Sequence, residues 1–374
     1  MKSYLSGTWM KREGYKSFEP APIHRAWTVE DMRLVDAMSR ADRHLGRLDS
    51  FSDIVPNLDL FVEMHVTKEA SQSSRIEGTR TEIAEAVLPE EEVALERRDD
   101  WREVRNYIQA MKTGQKRLAD LPFSSRLLRE THAVLMQGVR GEHKTPGEFR
   151  RSQNWIGGSN PGNARFVPPH PEGVPELMSD LEKFAHDDES HLPPLFRAGL
   201  LHYQFETIHP FLDGNGRIGR LMIPLYLMAS GILNQPVLYL SDYFERNRDE
   251  YYERLNRVRT ENDLSGWMLF FIDGVTETAK KGWETFDLIL KFQRNGTETI
   301  RGWKTLAQPG LNLFHRLFSD LTVSAAEAVD ICEVSLPTAY RVIEKFEAEG
   351  MLEEITGAKR GKRYQFAPYL RLFE

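Results

Sequence analysis

Apolar residues return at three- and four-residue spacing along most of this chain, and that one period restricts it to a fold of packed helices. The run from Thr28 to Met38 reads as an N-cap and acidic first turn leading into an apolar stripe. Asn57 similarly opens a helix from Leu58 to about Ile76, stopped by Gly78. Further helical patterns cover about 99–119, 125–138, 174–187, 194–207, 215–230, 241–260 and 265–292. The expectation is a mainly α protein.

One region breaks the period. Between Pro146 and Pro171 lie a turn cluster, Gly157-Gly-Ser-Asn-Pro-Gly-Asn163, and short β-prone flanks around Ile156 and Phe166, which predict a β-hairpin with a long tip. The first 22 residues read as an extended arm. The polar stretch from Arg294 to Gly302, with Asn295-Gly296 inside it, reads as a boundary. Beyond it come helical patterns at 311–317, 324–331 and 335–346, then strands at 351–355 and 363–366 around a basic tip, a winged helix-turn-helix pattern. The predicted division is therefore 1–110 as an N-terminal helical region, 111–293 as a central unit carrying the hairpin at 146–171, and 294–374 as the winged helix-turn-helix.

The single cysteine, Cys332, can form no internal disulfide, and no Cys/His cluster has zinc spacing. The N-terminus lacks the apolar core of a secretory signal, and no apolar run is long enough to span a bilayer, so a cytoplasmic protein without membrane contact is expected. A net charge of −7 argues against a globally basic nucleic-acid binder while leaving a local patch open.

The residues that carry chemistry cluster in His209-Pro-Phe-Leu-Asp-Gly-Asn-Gly-Arg-Ile-Gly-Arg220. Gly214-Asn215-Gly216 stands where a loop enters a helix whose apolar face begins at Ile218 and Leu221. Free N–H groups and the positive end of the helix dipole gather there, so such a junction binds anions, and glycines let phosphate oxygens approach the backbone. Arg217 and Arg220 add two planar cations suited to phosphate. Asp213 can hold Mg²⁺ beside those phosphates, because that ion takes few protein carboxylates. With His209 as a base, the set fits phosphoryl-type transfer.

This string resembles the signature of the Fic family, His-x-Phe-x-Asp/Glu-Gly-Asn-Gly-Arg-x-x-Arg, and fills every defined position. The resemblance implies a protein adenylyltransferase. His209 would take a proton from a Ser, Thr or Tyr hydroxyl of a target protein, Asp213 would position Mg²⁺, and Asn215, Arg217 and Arg220 would hold the triphosphate of ATP. Phe211 would anchor the loop. Pro146-Gly-Glu-Phe-Arg150, Ile156-Gly-Gly158 and Phe166-Val-Pro-Pro169 look like the family's flap, a hairpin that presents the target segment. Residues 242–252 resemble a helix that encloses the adenine, with Asn247 as hydrogen-bonding and Tyr251 as packing candidate.

Upstream, Ser73-Ser-Arg-Ile-Glu-Gly78 resembles an inhibitory motif of one subclass, with Ser73 and Glu77 at its defined positions. A carboxylate against Arg220 would form a bidentate pair and occupy the space of the γ-phosphate. Three other activities stay open at the same site: removal of AMP from modified proteins, transfer of another phosphate-bearing group, and ATP sensing by a regulator without catalysis. In the C-terminal unit, Ser335, Thr338, Tyr340 and Arg341 on the second helix and Lys359, Arg360, Lys362 and Arg363 on the wing are the candidates for DNA contact. Its 11 basic and 11 acidic residues balance, which leaves protein docking equally open, as is a homodimer.

Overall fold

A computed structural model describes residues 4–52, 58–187, 189, 191–357 and 361–373. The expected cap at Asn57 and the wing residues Lys359 and Arg360 lie outside them. A hairpin of β1 (Gly7–Lys11) and β2 (Lys16–Pro20) is followed by α1 (Met32–Ser52), α2 (Leu58–Ile76), the single turn α3 (Ile83–Ala86), α4 (Arg98–Arg117) and α5 (Ser125–Leu135). Then come α6 (Val174–Ala185), α7 (Pro194–Ile208), α8 (Asn215–Ala229), α9 (Ser241–Arg246), α10 (Arg248–Glu261) and the long α11 (Leu264–Arg301). The C-terminal part adds α12 (Ala307–Leu317), β3 (Thr322–Ser324), α13 (Ala325–Cys332), α14 (Leu336–Ala348), β4 (Glu353–Glu354), β5 (Arg363–Gln365) and α15 (Ala367–Leu370). The protein is mainly α, as its period requires.

Two helices without a polar face make the centre. Every residue of α7 from Leu195 to Ile208 is buried, and α8, packed against it, is buried from Arg217 to Leu227. A helix enclosed on all sides has no stripe to show. Gly199 lets α11 come close, since a Cβ there would stand 2.8 Å from Met268 Cε, and the Trp267 indole donates to the Gly199 carbonyl at 2.9 Å.

Several sequence expectations are corrected. Helix α1 starts at Met32 rather than after Thr28, and the Asp31 carboxylate accepts the Arg33 N–H at 3.0 Å in place of the expected cap. The helix expected over 241–260 breaks at Asn247, whose φ of −113° and ψ of 35° separate α9 from α10. The stretch 294–302 is mostly helical, because α11 runs on to Arg301. Gly296 is there for close approach and not for a turn, since a Cβ would meet Phe314 of α12 at 2.3 Å.

The break at 146–171 is real but barely β. Only Ile156 and Phe166 pair, with Ile156 N–H on the Phe166 carbonyl at 2.8 Å, and the tip is a one-turn helix at Pro161–Asn163 capped by Asn160. The arm expected over the first 22 residues is extended where it is described, as the hairpin of β1 and β2, and it docks on the body. Strand β2 donates its Phe18 N–H to Val167 O at 2.9 Å, and the rings of Trp9, Phe18 and Phe166 lie within 6.2 Å of one another. A buried Phe18 gives the arm something to lose by detaching.

At the other end, β3, β5 and β4 form an antiparallel sheet beside α12, α13 and α14, and a Ser324–Glu327 capping box starts α13. This part touches the N-terminal region: the Phe373 ring lies 5.1 Å from that of His65 on α2, and Arg363 pairs with Glu92 at 2.8 Å. Among the described residues no helix is long and apolar enough to cross a membrane.

Candidate active site

The loop between α7 and α8 is fixed from all sides before any ligand arrives. Helix α7 ends on His209 in the left-handed region, φ 51° and ψ 60°, with its N–H still on Phe205 O at 2.8 Å. A non-glycine residue there costs on the order of 1 kcal/mol, so neighbouring contacts must hold it. Arg150 supplies several. Its guanidinium donates to the carbonyls of His209 at 2.9 Å, Pro169 at 2.6 Å and Ile208 at 3.3 Å. Asn154 donates to the carbonyls of His209 at 3.1 Å and Phe211 at 2.9 Å.

From within the loop, the Asn215 amide takes the Phe211 N–H and donates to the Phe211 carbonyl, both at 2.8 Å. His132 of α5 stacks on the Phe211 ring at 3.8 Å, which bears out Phe211 as an anchor. The tautomer of His132 follows from its partners: Nδ1 accepts the Gly147 N–H at 2.8 Å, so Nε2 carries the proton and donates to Asp213 O at 3.0 Å. Gly214 takes φ 74°, and a side chain there would meet Met136 Sδ at 2.8 Å.

His209, Asp213, Gly216, Arg217, Arg220 and Tyr251 all open onto one cavity of about 520 Å³. Burial, then the charges of Arg150 and Arg259, push the His209 imidazole down to about 4, so it is neutral and able to accept a proton near pH 7. At the start of α8 the first intrahelical bond is Ile218 N–H to Gly214 O at 3.0 Å, which leaves the N–H groups of residues 215, 216 and 217 ahead of the ladder. Burial raises the Asp213 carboxyl, but the Lys144 ammonium at 2.8 Å and the Gly214 N–H at 2.7 Å outweigh it and hold the carboxylate ionised.

The two arginines are anchored differently. Arg217 is buried against Glu103 of α4 at 3.1 Å. Arg220, also buried, donates from Nε to Ser73 Oγ at 2.8 Å and from Nη2 to the Ser73 carbonyl at 2.9 Å and to Glu77 Oε1 at 2.7 Å. The pair with Glu77 is thus a single bond, not the expected bidentate fork, with Ser73 holding Nε and the second Nη2 hydrogen. Burial works against the Glu77 charge, yet Arg220 outweighs it and keeps the carboxyl below the usual carboxylate range. Glu77 Oε1 sits so close to Gly216 that a Cβ there would lie 2.4 Å away, which puts a carboxylate at the anion-binding start of α8.

Of two expected nucleotide contacts, Asn215 lines the cavity and Asn247 does not. The Asn215 side chain is spent on Phe211, leaving only its N–H for a ligand. Asn247 donates its amide to Tyr243 O at 2.9 Å and does not line the cavity. Tyr251 does line it, with its hydroxyl on His202 Nε2 at 2.9 Å. Lys144, Glu103 and Glu206 went unread in the sequence. The first two lie far away along the chain, but Glu206 precedes His209 by three residues, a spacing that shares a helix face and could have drawn notice.

Known proteins resemble this chain in sequence and in fold. Residues 35–116 match the Fic/DOC family N-terminal model and residues 122–227 the Fic/DOC family model. The proteins named protein adenylyltransferase Fic of Drosophila grimshawi and Drosophila melanogaster are each 35% identical over 144 residues, 38% of this chain. The match covers 27% of the first and 26% of the second, so this chain spans about a quarter of their length. A crystal structure of a Fic family protein from Desulfovibrio desulfuricans superposes with a TM-score of 0.58 at 19% identity, covering 91% of this chain and 98% of that one. A Fic domain containing signaling protein from Bacteroides thetaiotaomicron gives 0.53 at 20% identity, covering 66% and 95%. These two share the fold.

Proposed function

Because the chain belongs to the Fic/DOC family, we propose that it transfers the AMP part of ATP to a hydroxyl of a protein substrate, from a site that Glu77 holds in check. The observation that carries this reading is the convergence of a neutral imidazole, an ionised Asp213 and a helix-start cradle on one cavity. His209 takes the proton of the target hydroxyl while its oxygen attacks the α-phosphorus. The bond from that phosphorus to the bridging oxygen breaks, and pyrophosphate leaves. The N–H groups of residues 215–217 and the α8 dipole receive phosphate oxygens, and Arg217 and Arg220 balance their charge.

Mg²⁺ fits the donor set, since Asp213 is an ionised carboxylate and, among the described residues, no group of three acidic, His or Cys side chains offers a closed cage that would favour another ion. Asp213 would hold it, and when bound it would neutralise phosphate charge. Glu77 competes for the same ground: its carboxylate already occupies the space beside Gly216 and satisfies Arg220, so a terminal phosphate must displace it. Ile156 and Gly157 of the 146–171 segment line the cavity and are the edge along which an extended target would lie. The C-terminal unit is a winged helix, and Glu344, Glu347 and Glu354 around Tyr364 make its surface better suited to protein docking than to DNA.

The test uses ATP labelled on the α- or the γ-phosphate. Glu77→Gly should become labelled from the α position at least tenfold more than the parent, and His209→Ala in that background should abolish it. Label arriving from the γ position, or none in Glu77→Gly, would remove this reading.

A further inference from the structure

One acid in the site has no assigned task. Glu206 is buried in the last turn of α7, and its Oε1 has no hydrogen-bond partner. The Nδ1 of His209 is likewise buried and makes no well-formed hydrogen bond. The other oxygen of the same carboxylate, Glu206 Oε2, stands 3.9 Å from His209 Nδ1. Stability does not explain the acid. A buried carboxylate with an unpaired oxygen is costly, and the C-terminal end of a helix is the wrong pole for a negative charge. Helix α8 nevertheless leaves room for it, since a Cβ on Gly219 would lie 2.2 Å from Glu206 Oε1.

We propose that Glu206 is a positioning residue: its carboxylate accepts the Nδ1–H of His209, so that Nε2 is the bare nitrogen facing the target hydroxyl. This rests on the transfer reading above. The gap of 3.9 Å is longer than a hydrogen bond, and catalytic contacts of this kind commonly tighten when a site fills. The Glu206 carbonyl, which also takes Arg259 Nη2 at 3.3 Å, is a second acceptor beside the ring and favours the same Nδ1–H tautomer.

The state of the acid decides the ring. Ionised, Glu206 can only accept, which fixes the proton on Nδ1. Protonated, it would donate to Nδ1 and drive the ring proton to Nε2, where a base is needed. Burial holds Glu206 up to about 7, Arg220 and Arg259 pull it down, Glu77 pushes it up, and Tyr251 and Tyr252 of α10 face it as well. The rate should therefore climb as pH rises through the Glu206 titration, and removing Glu77 should move that limb to lower pH.

The experiment is made on the full chain carrying Glu77→Gly. Glu206→Leu, which offers no acceptor, should lower kcat about 10- to 100-fold with KM for ATP changed less than about threefold. Glu206→Gln keeps an acceptor, so it should lose less rate but lose the pH limb. Nitrogen-15 spectra of histidine-labelled protein should show His209 protonated on Nδ1 in the parent and on Nε2 in Glu206→Leu. Unchanged kcat and an unchanged tautomer in Glu206→Leu would overturn the proposal. If the Glu77→Gly parent transfers no AMP at all, the transfer reading falls, and the spectra still decide the role of Glu206.

Discussion

The loop from His209 to Arg220 and the outer face of α14 both carry polar residues that the sequence marks as candidates for ligand contact, and their surroundings could hardly differ more. In the loop, Arg150, Asn154, His132, Glu103 and Ser73 reach in from up to 147 residues away, and the polar groups they meet are buried. On α14, Tyr340 and Arg341 are exposed, and the bond between the Ser335 and Thr338 hydroxyls at 3.1 Å is local. Buried partners fix a side chain to within the tolerance that chemistry needs, whereas an exposed one keeps its rotamers until something binds. The comparison locates preorganised chemistry in the first region and leaves only a contact surface in the second.

The sharpest way to break that contrast is to remove the cation at its centre. Burial pushes the Arg150 guanidinium down only to about 10, so it is still charged at neutral pH while serving the carbonyls of three residues around His209. Arg150→Met fills the same space with no donor and strands those carbonyls in a dry interior. The expected loss is about 4 kcal/mol in urea unfolding, together with loss of transfer in the Glu77→Gly background. A loss below about 1 kcal/mol would mean that the loop holds its own shape and that the buried network is decoration.

What could be read in advance follows the same line. The helical period gave the fold class because amphipathic helices such as α4 and α5 write their burial into adjacent residues. The cradle was legible for a similar reason, since His209, Asp213, Gly214 and the two arginines are contiguous. Pairing of Glu77 with Arg220 was expected, but its single-bond form depends on where Ser73 points. Glu103, Lys144 and His132 gave no signal, and Arg150 was marked only as part of the flap, because a role created by folding has no local spacing. Phe18 docking beside Val167 was hidden in the same way, as was the loss of Asn215 and Asn247 to backbone partners.

A smaller effect separates the regions by pH. Burial holds His132 at about 4, against an unfolded value near 6.5, and its Nδ1 faces a backbone donor that a second ring proton would oppose. The folded-state value is depressed, so this stabilisation is complete above about 6.5 and is lost as pH falls towards 4, on the order of 3 kcal/mol in all. His132→Asn should flatten the acid-side slope of stability against pH by about one proton in urea melts. An equal slope for the parent and His132→Asn would show that His132 titrates freely.

The smallest effects belong to α14. Tyr340→Ala and Arg341→Ala remove exposed side chains, so each should change stability by less than about 0.5 kcal/mol and leave AMP transfer in the Glu77→Gly background untouched. The electrostatics around this face make a further demand. Burial, then Glu347, Glu354 and Glu344, raises the Tyr364 hydroxyl on β5, so acids stand beside Arg341 and Lys345 on this face and its charge is mixed. Duplex DNA titrated at low and at moderate salt should therefore show no steep salt dependence, because few counterions would be released. Binding that weakens at least tenfold between those salts, and that is lost in Arg341→Ala, would turn this surface into a recognition helix after all and erase the distinction drawn between the two regions.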